Sequence, residues 1–205
     1  MARLLNFSLL VPYHYCKYQV YLSEYLKIKA PVSQALITGL KKHKQLEQEF
    51  LLEAEEIEIP LPELVGRVLE GLEPAFITRE IPLVSRSLML KGRVDELEVH
   101  ADKAVVTDDK PRLSEGGKSQ VLAYSLAFRE QFLFPGKIMA KVRHRDTKEE
   151  LWTEWLSKSY VRRIKREAAE LHAIAEGKEP EPCKDPVKCA RCRYKLSCPA
   201  RQGKQ

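Results

Sequence analysis

Hydrophobic and polar positions change their period along this chain, and the changes divide it into elements. After Pro31, Ser33 offers an N-cap, and apolar Leu36, Leu40 and Leu46 line one side of the segment 34–55, which predicts a helix. Pro60 and Pro62 break it, and a short helix is expected near 63–70. The pattern then turns strand-like in three runs rich in Ile, Val, Leu and Phe, at 75–84, 87–99 and 103–109. A polar tip at 100–102 joins the last two as a hairpin. A second helix is predicted over 118–131, preceded by Gly116-Gly117 and stopped near Pro135-Gly136. Residues 137–145 and 149–156 form another expected hairpin around Asp146-Thr147. A long basic amphipathic helix follows over 157–177, with Val161, Ile164, Ala168 and Leu171 as its inner face. This alternation of helices and strands predicts an α/β fold with a mixed sheet.

At 205 residues the chain is long enough for one sizeable core. No run approaches the roughly 18–20 apolar residues of a membrane span. Residues 4–11 are apolar but lead into Tyr13-His14-Tyr15-Cys16, which is no small-residue cleavage site, so no signal peptide is expected. Five cysteines, three of them within ten residues, argue against a secreted disulfide framework. They point to metal ligation in a reduced, cytoplasmic compartment.

Charge sharpens the picture at one end. Residues 157–205 carry 13 Lys and Arg against 6 Asp and Glu, a local +7 within an overall +6. A basic end on a near-neutral body suits a polyanion, and it equally suits a solvated helix face.

Two constellations carry chemistry. Cys189, Cys192 and Cys198 have C-x2-C-x5-C spacing, and thiolates select zinc or iron–sulfur clusters. Such sites take four ligands, so the fourth is either Cys183 nearby or Cys16 at the other end of the chain. The other constellation lies on the central strands. Gly92-Arg93-Val94-Asp95 occupies one, and the next ends in Asp108-Asp109-Lys110. On a strand Asp108 and Lys110 face one side together and Asp109 faces the other, while Asp95 on the neighbouring strand reaches the first side. Two carboxylates with a backbone carbonyl suit Mg²⁺ or Mn²⁺, and an adjacent lysine suits activation of water or charge on a phosphate. Gln120 and Tyr124, at i and i+4, share a face of the following helix. His43 on the first helix offers an imidazole.

The ordered set of His43, Gly92-x-x-Asp95, Asp108-x-Lys110, Gln120-x-x-x-Tyr124 and the cysteines, headed by a lone Cys16, resembles the iron–sulfur branch of the RecB-like PD-(D/E)XK nucleases. It is most similar to the CRISPR-associated exonucleases of the fourth Cas family. The resemblance spans Cys16 to Cys198 and implies a restriction-endonuclease-like core over about 31–177. An iron–sulfur module made of 1–30 together with 178–205 would join the two ends. It implies that His43, Asp95, Asp108 and the carbonyl of Asp109 bind Mn²⁺ or Mg²⁺, and that Lys110 is catalytic with Gln120 and Tyr124 beside it. Cys16, Cys189, Cys192 and Cys198 would hold a [4Fe–4S] cluster, leaving Cys183 as surplus. The implied activity is metal-dependent exonuclease action on single-stranded DNA, with an endonuclease component left open, before spacer integration and beside the CRISPR integrase complex. Self-association is left open. Alternatives are a repair or viral nuclease with the same core, or a non-catalytic zinc-bound DNA-binding scaffold. The chain departs from many relatives in having Asp108 where they carry Glu, Lys44 after the histidine, and Pro111-Arg112 after the lysine.

Overall fold

A computed structural model describes residues 3–31, 37 and 59–199. The helix expected over 34–55, with His43, lies outside the described residues. The described helices are α1 (Leu10–Tyr15), α2 (Lys17–Val20), α3 (Leu61–Leu69), α4 (Glu115–Phe132), α5 (Lys158–Ala175) and α6 (Pro186–Ala190). The strands are β1 (Leu5–Asn6), β2 (Phe76–Ser85), β3 (Leu90–Val99), β4 (Lys103–Lys110), β5 (Lys137–His144) and β6 (Glu150–Trp155).

They form one mixed sheet in the order β1-β3-β4-β5-β6, with β2 also paired to β3. The hairpins β3–β4 and β5–β6 are antiparallel, as the sequence pattern predicts, and β2–β3 is a further antiparallel pair. β4 and β5 run parallel, which requires a crossover, and α4 supplies it. β4 is buried without alternation from Ala104 to Asp109, the signature of a strand covered on both faces.

α4 is the central helix, and Val121, Leu122, Ala123, Ala127 and Phe128 are fully buried around most of its circumference. It begins three residues earlier than its apolar pattern suggests. Ser114 caps it, its Oγ accepting from the Gly117 amide at 3.1 Å. The two glycines thus lie inside the first turn instead of ahead of it. A Cβ on Gly116 would sit 2.6 Å from the Cα of Val11, so the missing side chain lets α1 cross the start of α4. Leu133 in the left-handed region ends the helix just before Pro135-Gly136.

The N-terminal segment belongs to the same core. Phe7, Leu10, Val20 and Leu22 are buried there, and a π-helical turn, Tyr21–Tyr25, follows α2. Polar contacts fasten it to α4 and α5. His14 Nε2 lies 2.9 Å from Ser119 Oγ and 3.2 Å from Glu167 Oε2, and Tyr13 Oη donates to Glu170 at 2.6 Å. α5 turns Ile164, Ala168 and Leu171 inward, as its periodicity predicts, and adds Ile174. Among the described residues no helix is long and apolar enough to cross a membrane.

Candidate active site and thiol cavity

β3 and β4 place the carboxylates. Glu96 is opposite Thr107, so Asp95 and Asp108 come next along the antiparallel ladder. Both are buried, Asp108 at 2% exposure and Asp95 at 6%. Asp95 Oδ2 accepts from the backbone amide of Asp109 at 2.6 Å. Lys110 Nζ lies 2.9 Å from Asp108 Oδ2, so the two face one side of β4 as the period of two requires. From α4, Gln120 Nε2 donates to Tyr124 Oη at 3.3 Å. The Tyr124 phenol is held above its ordinary pKa by burial first, then by the negative charges of Asp108 and Asp95. The phenol therefore stays protonated beside both carboxylates. Gly92 has a spatial reason for being glycine, since a Cβ there would meet the Tyr124 hydroxyl and the Phe7 ring at 3.0 Å each. The fold brings Asp95, Asp108, Lys110, Gln120 and Tyr124 together; His43 lies outside the described residues.

Two buried acceptors line this site: Gln120 Oε1 has no hydrogen-bond partner, and Asp108 Oδ2 is matched by the Lys110 ammonium 2.9 Å away. A buried oxygen left unmatched is costly unless a cation or donor occupies the gap. Hard oxygen donors of this kind suit Mg²⁺ or Mn²⁺. Among the described residues no three His, Cys, Asp or Glu side chains converge on a metal position. The set present is two carboxylates and the Asp109 backbone carbonyl, which fits a small hard cation that keeps several waters.

Asp109 itself faces the other side, where a charge network that sequence reasoning missed receives it. Arg143 Nε donates to Asp109 Oδ1 at 2.8 Å, and Lys148 Nζ to Oδ2 at 2.8 Å. Arg143 also grips both oxygens of Glu96, at 2.8 and 3.0 Å, and Arg79 reaches Asp109 and Glu96 from β2. Burial works against ionisation of Asp109, but the hydrogen bonds and charges of Arg143 and Lys148 outweigh it and hold the carboxyl below its ordinary value. The parallel register sets Asp109 beside Arg143, which is why residues 34 apart in sequence meet. The available signal was the outward-facing Asp109 on a strand too apolar to be exposed.

Elsewhere Tyr15 and Cys16 meet residues 182–198 around a cavity of about 500 Å³. Cys16, Cys183, Cys189, Cys192 and Cys198 all line it, together with Tyr15 and the lysines 184, 188 and 195. Cys16 sits where extended backbone separates α1 from α2. The two arms are stitched by Tyr15 Oη, which donates to the Lys188 carbonyl at 2.7 Å, and by Tyr18 Oη, which donates to Glu179 at 2.8 Å. Gln19 Nε2 donates to Cys192 Sγ at 3.2 Å. Cys189 Sγ donates to the Cys183 carbonyl at 3.2 Å, and burial with the nearby Cys183 and Cys16 pushes its thiol up. The donors are of the soft type that a thiophilic metal or cluster takes, and among the described residues no three of them converge on a metal position.

Comparison with known proteins gives the family. The chain is 18% identical over 95% of its length to the crystal structure of SSO0001, covering 82% of that chain with a TM-score of 0.42. It is 10% identical over 91% of its length to a candidate exonuclease from Eubacterium rectale, covering 86% of that chain with a TM-score of 0.45. No curated protein matches. Residues 61–199, about two thirds of the chain and the whole of the strand-end site, match the model of the PD-(D/E)XK nuclease superfamily, and the chain belongs to that superfamily.

Proposed function

We propose that this protein is a divalent-metal-dependent deoxyribonuclease that trims single-stranded DNA from an end, and that it prepares DNA for CRISPR spacer integration beside the integrase complex. The observation that carries the nuclease reading is the pair of buried carboxylates, Asp95 and Asp108, set against Lys110, with the unpartnered Gln120 Oε1 of α4 beside them. The narrower setting in CRISPR adaptation rests on the ordered motifs of the sequence, and a cytoplasmic location on its cysteine usage.

Asp95, Asp108 and the Asp109 carbonyl, with His43 as a further donor, would hold Mn²⁺ or Mg²⁺, which supplies positive charge to polarise the scissile phosphate. Lys110, its ammonium 2.9 Å from Asp108 Oδ2, would donate hydrogen bonds to an attacking water and to the phosphate oxygens and neutralise the charge that develops there. Tyr124, kept protonated, donates a hydrogen bond, and Gln120 fixes the direction of that hydroxyl. Asp95 orients the Asp109 peptide by accepting its amide. In the thiol cavity Cys16, Cys189, Cys192 and Cys198 would hold a [4Fe–4S] cluster that ties the two ends of the chain together, with Cys183 outside the ligand set. Closing so long a loop constrains the unfolded chain strongly.

The test is cleavage of end-labelled single-stranded and duplex DNA by protein stripped with chelator and then supplied with Mn²⁺ or Mg²⁺. The expected result is metal-restored shortening of the single strand, lost in Asp108→Ala. Absence of metal-dependent cleavage overturns the activity. Failure of the protein to change spacer acquisition when expressed with the integrase removes the adaptation role and leaves a nuclease of another pathway.

A further inference from the structure

We infer that Gln19 is a positioning residue of the thiol cavity, holding the sulfur of Cys192 so that the cavity binds a thiolate-ligated metal more tightly. The inference rests on the reading of that cavity as a metal site.

Gln19 lies three residues after Cys16, and its backbone amide donates to the Cys16 carbonyl at 2.9 Å. Its side chain is 7% exposed, unusual for glutamine, and a buried amide needs a partner. The partner is sulfur, since Nε2 donates to Cys192 Sγ at 3.2 Å across 173 residues of sequence. An N–H aimed at that sulfur fixes where it sits on the cavity wall.

Cys189 offers the contrast. Its sulfur acts as donor, to the Cys183 carbonyl, and must surrender that bond to become a ligand. Cys192 is poised for ligation and Cys189 is not. Gln19 also sits on the arm that carries Cys16 and touches the arm that carries Cys192, so its hydrogen bond is the one of the stitches between them that holds a sulfur directly. Loss of such an outer partner costs about 10–100-fold in metal affinity.

The test is anaerobic titration of the metal-free full-length protein with Co²⁺, read by the thiolate-to-cobalt charge-transfer absorption, followed by displacement with Zn²⁺. Gln19→Leu should weaken Co²⁺ binding by about 10–100-fold while the metal-free protein keeps its unfolding midpoint. Gln19→Glu, nearly the same shape, should bind as weakly or worse, because it offers no N–H and sets negative charge beside the thiolates. If Gln19→Leu misfolds, the Glu variant decides. Wild-type Co²⁺ affinity in the variant that folds overturns the role of Gln19. No charge-transfer band in the wild type overturns the metal-site reading itself.

Discussion

Asp109 and Cys16 show how differently the fold has committed its two reactive regions. Asp109 is 1% exposed on a central strand, with its carboxylate bonded to Arg143 and Lys148 and its amide bonded to Asp95. Cys16 is half-buried at a break between short helices, facing a cavity whose other walls come from residues 182–198, including α6. The strand-end site is held by ladder hydrogen bonds and buried ion pairs whether or not anything binds there. The thiol cavity is held by a few long-range contacts from Tyr15, Tyr18 and Gln19, one of them made to a cysteine sulfur. A site on rigid strands keeps its geometry through many turnovers, while a site between two arms gains its order from what it binds. Removing side chains at the first should therefore change chemistry, and at the second should change assembly.

The largest effect should follow from Asp108→Ala and Lys110→Ala. Each side chain faces the site, so its loss removes a donor oxygen or the charge-neutralising ammonium with little core volume. Single-turnover cleavage of end-labelled single-stranded DNA with Mn²⁺ should fall by about 10²–10⁴-fold in each, with unfolding midpoints little changed. Wild-type rates in both variants would take the strand ends out of the chemistry.

On the other face of the same strand the expected change is in stability. Arg143→Met leaves Asp109 buried and Glu96 half-buried with Arg79 and Lys148 as their remaining cations, so the loss should fall below the cost of breaking a fully buried pair, about 3–5 kcal/mol. The sign of its pH dependence follows from Asp109. That carboxyl is held below its ordinary value when folded, so its stabilisation is complete above the unfolded value of about 4 and is lost as pH falls through the lower folded value. Urea unfolding should show the gap between wild type and variant shrinking below about pH 4. A gap that widens in acid would mean that Arg143 does not act through Asp109.

These two faces also show what the sequence discloses. The period of two separated Asp108 and Lys110 from Asp109 before any contact was visible, because strand geometry leaves no other arrangement. Hairpins declared themselves through polar tips, and the inner face of α5 through its 3.6-residue period. The clamp on Asp109 stayed hidden because it depends on the parallel register of β4 and β5, which a crossover helix sets and no local pattern encodes. The glycine pair of α4 misled for a similar reason: Gly116 is demanded by Val11, more than a hundred residues earlier. The N-terminal contribution to the core was obscured where helices of four and six residues, broken at Cys16, are too short to show a period.

At the thiol cavity the choice between Cys16 and Cys183 separates a staple from a local module. Cys16→Ala should lose most of the bound metal and release the N-terminal arm, lowering the unfolding midpoint of the metal-loaded protein. Cys183→Ala should retain both, because four thiols still line the cavity. Iron, zinc and acid-labile sulfide per chain, measured with thermal unfolding, read the two variants directly. The reverse pattern, with metal lost from Cys183→Ala and kept in Cys16→Ala, would make the centre a C-terminal one and leave the termini joined by hydrogen bonds alone.

The smallest effect concerns DNA held outside both regions. On α5, Arg162, Lys165 and Arg166 are exposed, whereas Arg163 lies against the Tyr160 ring and 3.6 Å from Glu167. Arg163 thus spends its charge within the protein, and only the other three are placed for phosphate contacts. Replacing Arg162, Lys165 and Arg166 with Ala should weaken binding of single-stranded DNA equally for all sequences. Each lost contact releases one condensed counterion fewer, so the log–log salt slope should flatten by about 0.7 per residue, or about 2 for the triple variant. Arg163→Ala alone should leave the slope where it was and act, if at all, on stability through Glu167. Fluorescence anisotropy across a salt series measures both, and an unchanged slope in the triple variant would return this helix face to ordinary solvation.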